Sequence, residues 1–289
     1  MSRRALSATR AADLLNFLAA HPDEPLSYAA LASRLDVNQA SMHSLLMALT
    51  ECGYLTRDPK TRTFSLGAAL VAIGDAALRE NSIVDEARAE MGRLSRELGF
   101  GAVALVRAGS DALCIARTGR RRARVDPPEV GQRIPIMAPL VSVFAAWGSE
   151  ETIERWLQRG RSARADRANA EAMLERVRDR GYSVALEVPG RRRLGDLIAD
   201  LAEAPHSELL RERLHETIDK LGRTPFQLSE SAGKAHDIST ITAPVFDRHG
   251  EVCVAISLQV FARALDPDGV AEIGDRLLDM TRNLSRSEP

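Results

Sequence analysis

The chain has 289 residues, 45% of them hydrophobic and 27% charged. It is about twice the length of a typical domain, taken as roughly 150 residues, and its balance excludes a disordered or fibrous protein. Thirty-nine Lys+Arg against 40 Asp+Glu leave a formal charge of −1, so overall charge selects no acidic partner and any basic surface must be local.

Ala11, Leu14, Leu15 and Leu18 recur at helical spacing, which predicts a helix over 8–20 that His21-Pro22 closes. Ser27 is placed to cap a short second helix whose inward face is Leu31 and Leu35. Asn38 is placed to cap a third. There Met42, Leu45, Leu46 and Leu49 follow at i, i+3, i+4 and i+7, and Gly53 is the stop. Tyr54–Arg57 and Thr63–Leu66 read as two short strands joined by the turn Asp58-Pro59-Lys60-Thr61. Three helices and a hairpin in this order are the plan of a winged helix-turn-helix.

If the third helix buries those four residues, rotation by about 100° per residue turns Ala40, His43, Ser44 and Met47 outward. Gln39 and Ser41 lie on its flanks near the start, within reach of base edges or phosphates. Arg57, Lys60 and Arg62 on the hairpin, with Arg3, Arg4 and Arg10 in the leading segment, are candidate phosphate contacts. Two readings stand at this point. Residues 1–70 hold seven Lys+Arg and six Asp+Glu, a net of +1, and the third helix has no Lys or Arg. Such a head reads double-stranded operator DNA, or it binds protein as part of a small-molecule sensor or adaptor.

The runs Ser7–Ala12, Leu26–Ala32, Leu35–Leu46, Gly53–Asp58 and Thr63–Gly67 together resemble the start of the IclR-type bacterial transcription regulators. At the start of the third helix that family commonly reads Pro-Lys-Ser-Thr, and this chain has Asn38-Gln39-Ala40-Ser41. Ser44 stands where an Arg commonly precedes the paired leucines. The resemblance implies an α+β protein in which a linker helix joins the head to a GAF-like effector-binding domain. It also implies a homodimer or homotetramer that binds paired half-sites and controls a metabolic or catabolic operon, as repressor or activator. The expected division is 1–68 for the head, 69–82 for the linker helix and 83–289 for the effector domain.

Beyond the linker, a helix is predicted from 83 to Leu98, then strands at Ala102–Val106 and Ala112–Ile115 around the turn Ala108–Asp111. Helices are expected at 138–147, 151–159 and 167–180, with a strand resuming at Gly181–Val184. Ala243–Leu258 reads as a hairpin about an Asp-to-Gly turn, and Val270, Ile273, Leu277 and Met280 align along a helix over 266–284. Between the strands near Glu187 and Ile238 the family needs only a short loop. This chain inserts about 189–230, with two amphipathic helices (Leu194, Leu197, Ile198, Leu201; Leu210, Leu214, Ile218, Leu221) and an Arg191-Arg192-Arg193 run read as solvated surface.

In the resembled family a small molecule, often an organic acid, sits in the second domain against a helix start. The matching stretch here is Ile134–Val143, with Met137, Pro139, Ser142 and Val143 where that family often has His, Thr, Gly and Lys. The resemblance therefore places the effector among Met137, Ala138, Val141, Ser142, Ser239, Thr240 and Ser257. Replacement of polar by apolar lining points to an apolar or aromatic metabolite rather than a simple dicarboxylate.

Signals for catalysis are absent. No phosphate loop, dinucleotide fingerprint or nucleophile elbow occurs, and the six histidines never pair at i, i+4. No cofactor or metal is expected. Cys52, Cys114 and Cys253 lie 62 and 139 residues apart, which suits neither a disulfide framework nor zinc and points to a reducing cytoplasm. The most apolar stretch, Ile134–Trp147, spans 14 residues with two prolines, so it reads as core and no membrane partner is expected.

Overall fold

A computed structural model describes residues 5–80, 83–119, 128–160, 166–188, 190–222 and 234–287. The expected contacts Arg3 and Arg4, the end of the linker at 81–82 and the end of the insertion at 223–230 lie outside the described residues.

The chain divides into two units, residues 1–81 with 199–210, and residues 82–198 with 211–289. In the first, α1 (Leu6–Ala20), α2 (Tyr28–Arg34) and α3 (Gln39–Glu51) enclose a core of Leu14, Phe17, Leu18, Leu31, Leu35, Met42, Leu46 and Leu49. Both expected caps form: the Ser27 hydroxyl accepts from the Ala30 amide at 3.3 Å, and Asn38 Oδ1 accepts from the Ser41 amide at 2.9 Å. The wing is β2 (Leu55–Arg57) against β3 (Thr63–Leu66). A two-residue strand not expected from the sequence, β1 (Leu26–Ser27), pairs with the far side of β3. Gly53 holds φ +74° at the end of α3, and a side chain at Gly67 would meet its carbonyl oxygen at 2.2 Å. The chain leaves the wing through this close approach, which only glycine permits. Helix α4 (Ala69–Glu80) follows and buries none of its residues.

The second unit is built on a six-stranded antiparallel sheet in the order β6-β5-β4-β9-β8-β7. Its strands are β4 (Gly101–Ala108), β5 (Asp111–Thr118), β6 (Arg133–Pro135), β7 (Ser183–Leu186), β8 (His236–Phe246) and β9 (Val252–Leu265). Because side chains alternate along a strand, β4 sends Val103 and Leu105 to one face and Ala102 and Ala104 to the other. Val103 and Leu105 join a core with Phe144 of α6 (Val143–Ala146), Trp156 and Leu157 of α7 (Glu150–Arg159), and Met173, Leu174 and Val177 of α8 (Arg167–Arg180). Helix α5 (Ile83–Leu98) packs on β4 and β5, and α11 (Pro267–Ser287) packs on α5 and β8. The two insertion helices are α9 (Arg191–Glu203) and α10 (Glu208–Gly222).

One expected helix is corrected. Residues 138–147 do not form a continuous helix: only Val143–Ala146 is helical. Pro139 disfavours helical backbone at Ala138, and Val141 sits at φ +51°, left-handed backbone that a helix does not contain.

Candidate DNA-reading face and effector cavity

The local packing of α3 sets its outer face. With Met42, Leu46 and Leu49 buried, Gln39, Ala40, His43, Ser44 and Met47 are exposed and Ser41 is half-buried. Tyr28 of α2 donates its hydroxyl to the Gln39 carbonyl at 2.6 Å, tying down the first turn of α3 beside the Asn38 cap. Ser44 donates to the Ala40 carbonyl at 3.1 Å, so its hydroxyl offers outside partners an acceptor.

The wing is ordered by one carboxylate. Asp58 Oδ1 accepts from the Lys60 amide at 2.7 Å and the Thr61 amide at 2.9 Å. Those two amide bonds hold its carboxyl below the usual value. Arg62 closes the turn at φ +57°, its amide donating to the Asp58 carbonyl at 2.9 Å. Arg57, Lys60 and Arg62 are all exposed, with the Arg57 guanidinium 5.8 Å from the Phe64 ring centre. Arg10 is half-buried. A polar helix face flanked by three cations can meet base edges and neutralise phosphates.

The second unit contains a cavity of about 150 Å³ on the same sheet face as the α6–α8 core. Strand register builds its floor: Ser183 pairs with Thr242, Thr242 with Ser257 and Ser257 with Val103, while Ala185 pairs with Thr240 and Thr240 with Gln259. Thr242 donates to the Ser257 hydroxyl at 2.8 Å, and Gln259 Nε2 donates to the same oxygen at 3.2 Å. The irregular stretch from Pro139 to Val143 forms one wall. Helix α9 supplies another through Arg191, Leu194, Gly195 and Ile198, spaced i, i+3, i+4 and i+7 and hence on one face. The Arg191 side chain is 17% exposed, and its Nε lies 3.9 Å from Glu187 Oε2. Burial pushes its guanidinium down to about 10, with Glu187 opposing, so it remains cationic at neutral pH.

Residues 7–59 match the family model of the IclR helix-turn-helix domain. Over 282 residues the chain is 25% identical to the HTH-type transcriptional regulator XynR of Escherichia coli, covering 97% of this chain and 96% of that one. Its head is a helix-turn-helix of the IclR type. Its whole fold recurs in the crystal structure of an IclR transcriptional regulator from Alicyclobacillus acidocaldarius, at 20% identity and TM-score 0.68 over 98% of this chain and 99% of the other. An IclR homologue from Microbacterium hydrocarbonoxydans, solved with 4-hydroxybenzoate, is similar at 17% identity and TM-score 0.63, over 98% of this chain and all of that one.

Four of the expected effector residues, Val141, Ser142, Thr240 and Ser257, line the cavity. Met137, Ala138 and Ser239 do not. Met137 and Ser239 are fully buried and Ala138 nearly so, with Ala138 in the core around Trp156. The Arg run also divides: Arg192 and Arg193 are exposed, but Arg191 belongs to the cavity wall rather than to solvated surface. Its position three and seven residues before Leu194 and Ile198 was the signal, since the apolar stripe of α9 extends back to it. Ser183 and Gln259 were missed as lining, and their strand register with Thr242 and Thr240 could have found them.

No helix among the described residues is long and apolar enough to cross a membrane.

Proposed function

We propose that this regulator reads operator DNA with α3 and the wing, and that a small molecule in the cavity of the second unit governs that reading. The observation that carries the proposal is the exposed polar face of α3 beside the three wing cations. On this reading Gln39, Ser41, His43 and Ser44 approach base edges, and Arg10, Arg57, Lys60 and Arg62 contact backbone phosphates. The functional division is then a reading head over 1–68, a linker over 69–82 and a GAF-like effector domain over 83–289 carrying the insertion.

One α3 reads only a few base pairs, so two heads on paired half-sites are required and the active form is a homodimer or a pair of dimers. Helix α4 supports this, because Val71 is 72% exposed and Ile73 49%, an apolar strip without cover in one copy. The chain works in the cytoplasm, where its DNA lies, and controls a metabolic or catabolic operon.

The effector has an apolar or aromatic body. Most of the lining is aliphatic, and about 150 Å³ is the size of cavity that accommodates a single ring. The 4-hydroxybenzoate held by the homologue named above is of that size and supports the choice. The test is a mobility-shift titration of the protein on its own upstream DNA against an unrelated fragment of equal length. The proposal expects at least about a thousand-fold preference for the upstream fragment, the lower end for specific binding. Equal affinity for both would overturn it.

A further inference from the structure

We propose that the turn between α9 and α10 is a clasp on the reading head, and that through it α9 couples the cavity wall to α2 and α3. The purpose of such a link depends on the cavity holding the effector, as proposed above; its existence does not.

Helix α9 belongs to both units. Residues 191–198 lie in the second, where Leu194, Gly195 and Ile198 wall the cavity, and residues 199–210 lie in the first. At about 1.5 Å per residue, Ile198 and Glu203 stand roughly 7.5 Å apart along one helix axis. Over so short a length a helix moves as a rod.

Glu203 ends α9, and two groups of the head share its carboxylate. Oε1 lies 2.6 Å from Nε2 of His21, which follows α1, and Oε2 accepts from Nη1 of Arg34, the last residue of α2. Both partners are themselves held in place. His21 Nδ1 donates to the Phe17 carbonyl at 2.7 Å, and Arg34 Nη2 donates to Glu24 Oε1 at 2.8 Å. Three residues beyond Glu203, His206 Nε2 stands 3.4 Å from Asp13 Oδ2 of α1. Ala204, Pro205, His206 and Ser207 are all half-buried, although a turn joining two helices normally lies open to water.

An exposed ion pair taken alone contributes little. Here one carboxylate meets two prepositioned groups, and a second pair lies close by. The turn also holds itself: the Ala204 amide donates to the Asp200 carbonyl and the Ser207 amide to the Ala204 carbonyl, each at 3.0 Å. Closing the clasp therefore orders few further groups.

Arg34 carries the link onward. It ends α2, whose Leu31 shares the core of the head with Leu46 of α3 and whose Tyr28 hydroxyl donates to the Gln39 carbonyl. A shift of α2 thus reaches the first turn of α3. The reading face is separate from the clasp, since Gln39, His43 and Ser44 stay exposed. The clasp sets how the head is held and leaves that face open.

The test is hydrogen exchange of the full-length protein without DNA, followed in peptides covering 13–36. The proteins are wild type, Glu203→Ala, Gly195→Leu, Gly195→Phe, and each glycine variant combined with Glu203→Ala. No atom lies within 4 Å of a Cβ built at Gly195, so both additions enter open space at the cavity wall, and leucine is the smaller guard against misfolding. Unchanged exchange in β4 and β9 checks that the sheet is intact. Glu203→Ala should speed exchange over 13–36 by about three- to ten-fold. The glycine variants should alter exchange over the same residues, and that change should vanish once Glu203 is alanine. Exchange unaltered by Glu203→Ala would overturn the clasp. A glycine effect that is absent, or equal in both backgrounds, would overturn the coupling. Neither readout uses DNA. Loss of preference for the upstream fragment would therefore remove the function proposed above and leave the clasp standing, whereas normal preference with unaltered exchange would remove the clasp alone.

Discussion

The Thr242 hydroxyl donates to the Ser257 hydroxyl at 2.8 Å, joining β8 to β9 at the floor of the cavity. Both side chains are more than 90% buried, so the bond forms where an unpaired hydroxyl is costly. Thr242→Val preserves shape and removes the donor. Ser257 keeps its bond from Gln259, which limits the loss to about 1 kcal/mol of stability in urea unfolding. A loss near 4 kcal/mol would mean that the threonine packs a region this geometry does not identify.

The Asn38 cap allows a sharper test of the reading head. Asn38→Ala removes the acceptor for the Ser41 amide and should cost about 1 kcal/mol, whereas Asn38→Asp or Asn38→Ser should cost much less. DNA affinity should follow the same order, because Gln39 and Ser41 lie in the turn the cap closes. Urea unfolding of the three variants checks the first statement and mobility shifts the second.

These caps show what the sequence alone makes legible. Ser27 and Asn38 act through bonds to residues three positions away, so local pattern suffices to find them. Distant partners leave no such mark. Strand β1 is two residues long and exists because β3 lies beside it. The interruption at 138–142 depends on left-handed backbone at Val141, which an apolar run does not reveal. Ser183 and Gln259 enter the cavity through register with residues of β8. Arg191 was legible in principle, since it continues the apolar face of α9, but its place among three arginines suggested solvent.

Asp58 organises the wing, and its folded pKa is held below that of the unfolded chain by the Lys60 and Thr61 amides. The sign follows: its contribution is full above the unfolded value of about 3.8 and is lost as pH falls through the lower folded value. In hydrogen exchange, Asp58→Ala should remove protection from the Lys60 and Thr61 amides at pH 6 while leaving α3 amides unchanged. Protection unchanged in the variant would show that the turn does not depend on this carboxylate.

The thiols should react very unequally. Cys52 is exposed at the end of α3, whereas Cys114 is buried and its thiol is pushed up to about 12. At pH 8 an aromatic disulfide reagent should modify Cys52 within minutes and leave Cys114 untouched until denaturant is added. Mass mapping of the labelled peptides decides; early labelling of Cys114 would contradict its position in the core.

The central claim, that the head grips DNA through its wing, is tested most directly by the salt dependence of binding. Affinity for the upstream fragment is measured from about 50 to 200 mM salt for wild type and for Arg57→Ala/Lys60→Ala/Arg62→Ala. Each lost phosphate contact removes roughly 0.9 from the slope of log affinity against log salt, so the triple variant should bind more weakly, with its slope reduced by about 2 to 3 per head. Identical slopes for the two proteins, or a wild-type affinity that salt does not change, would contradict the account.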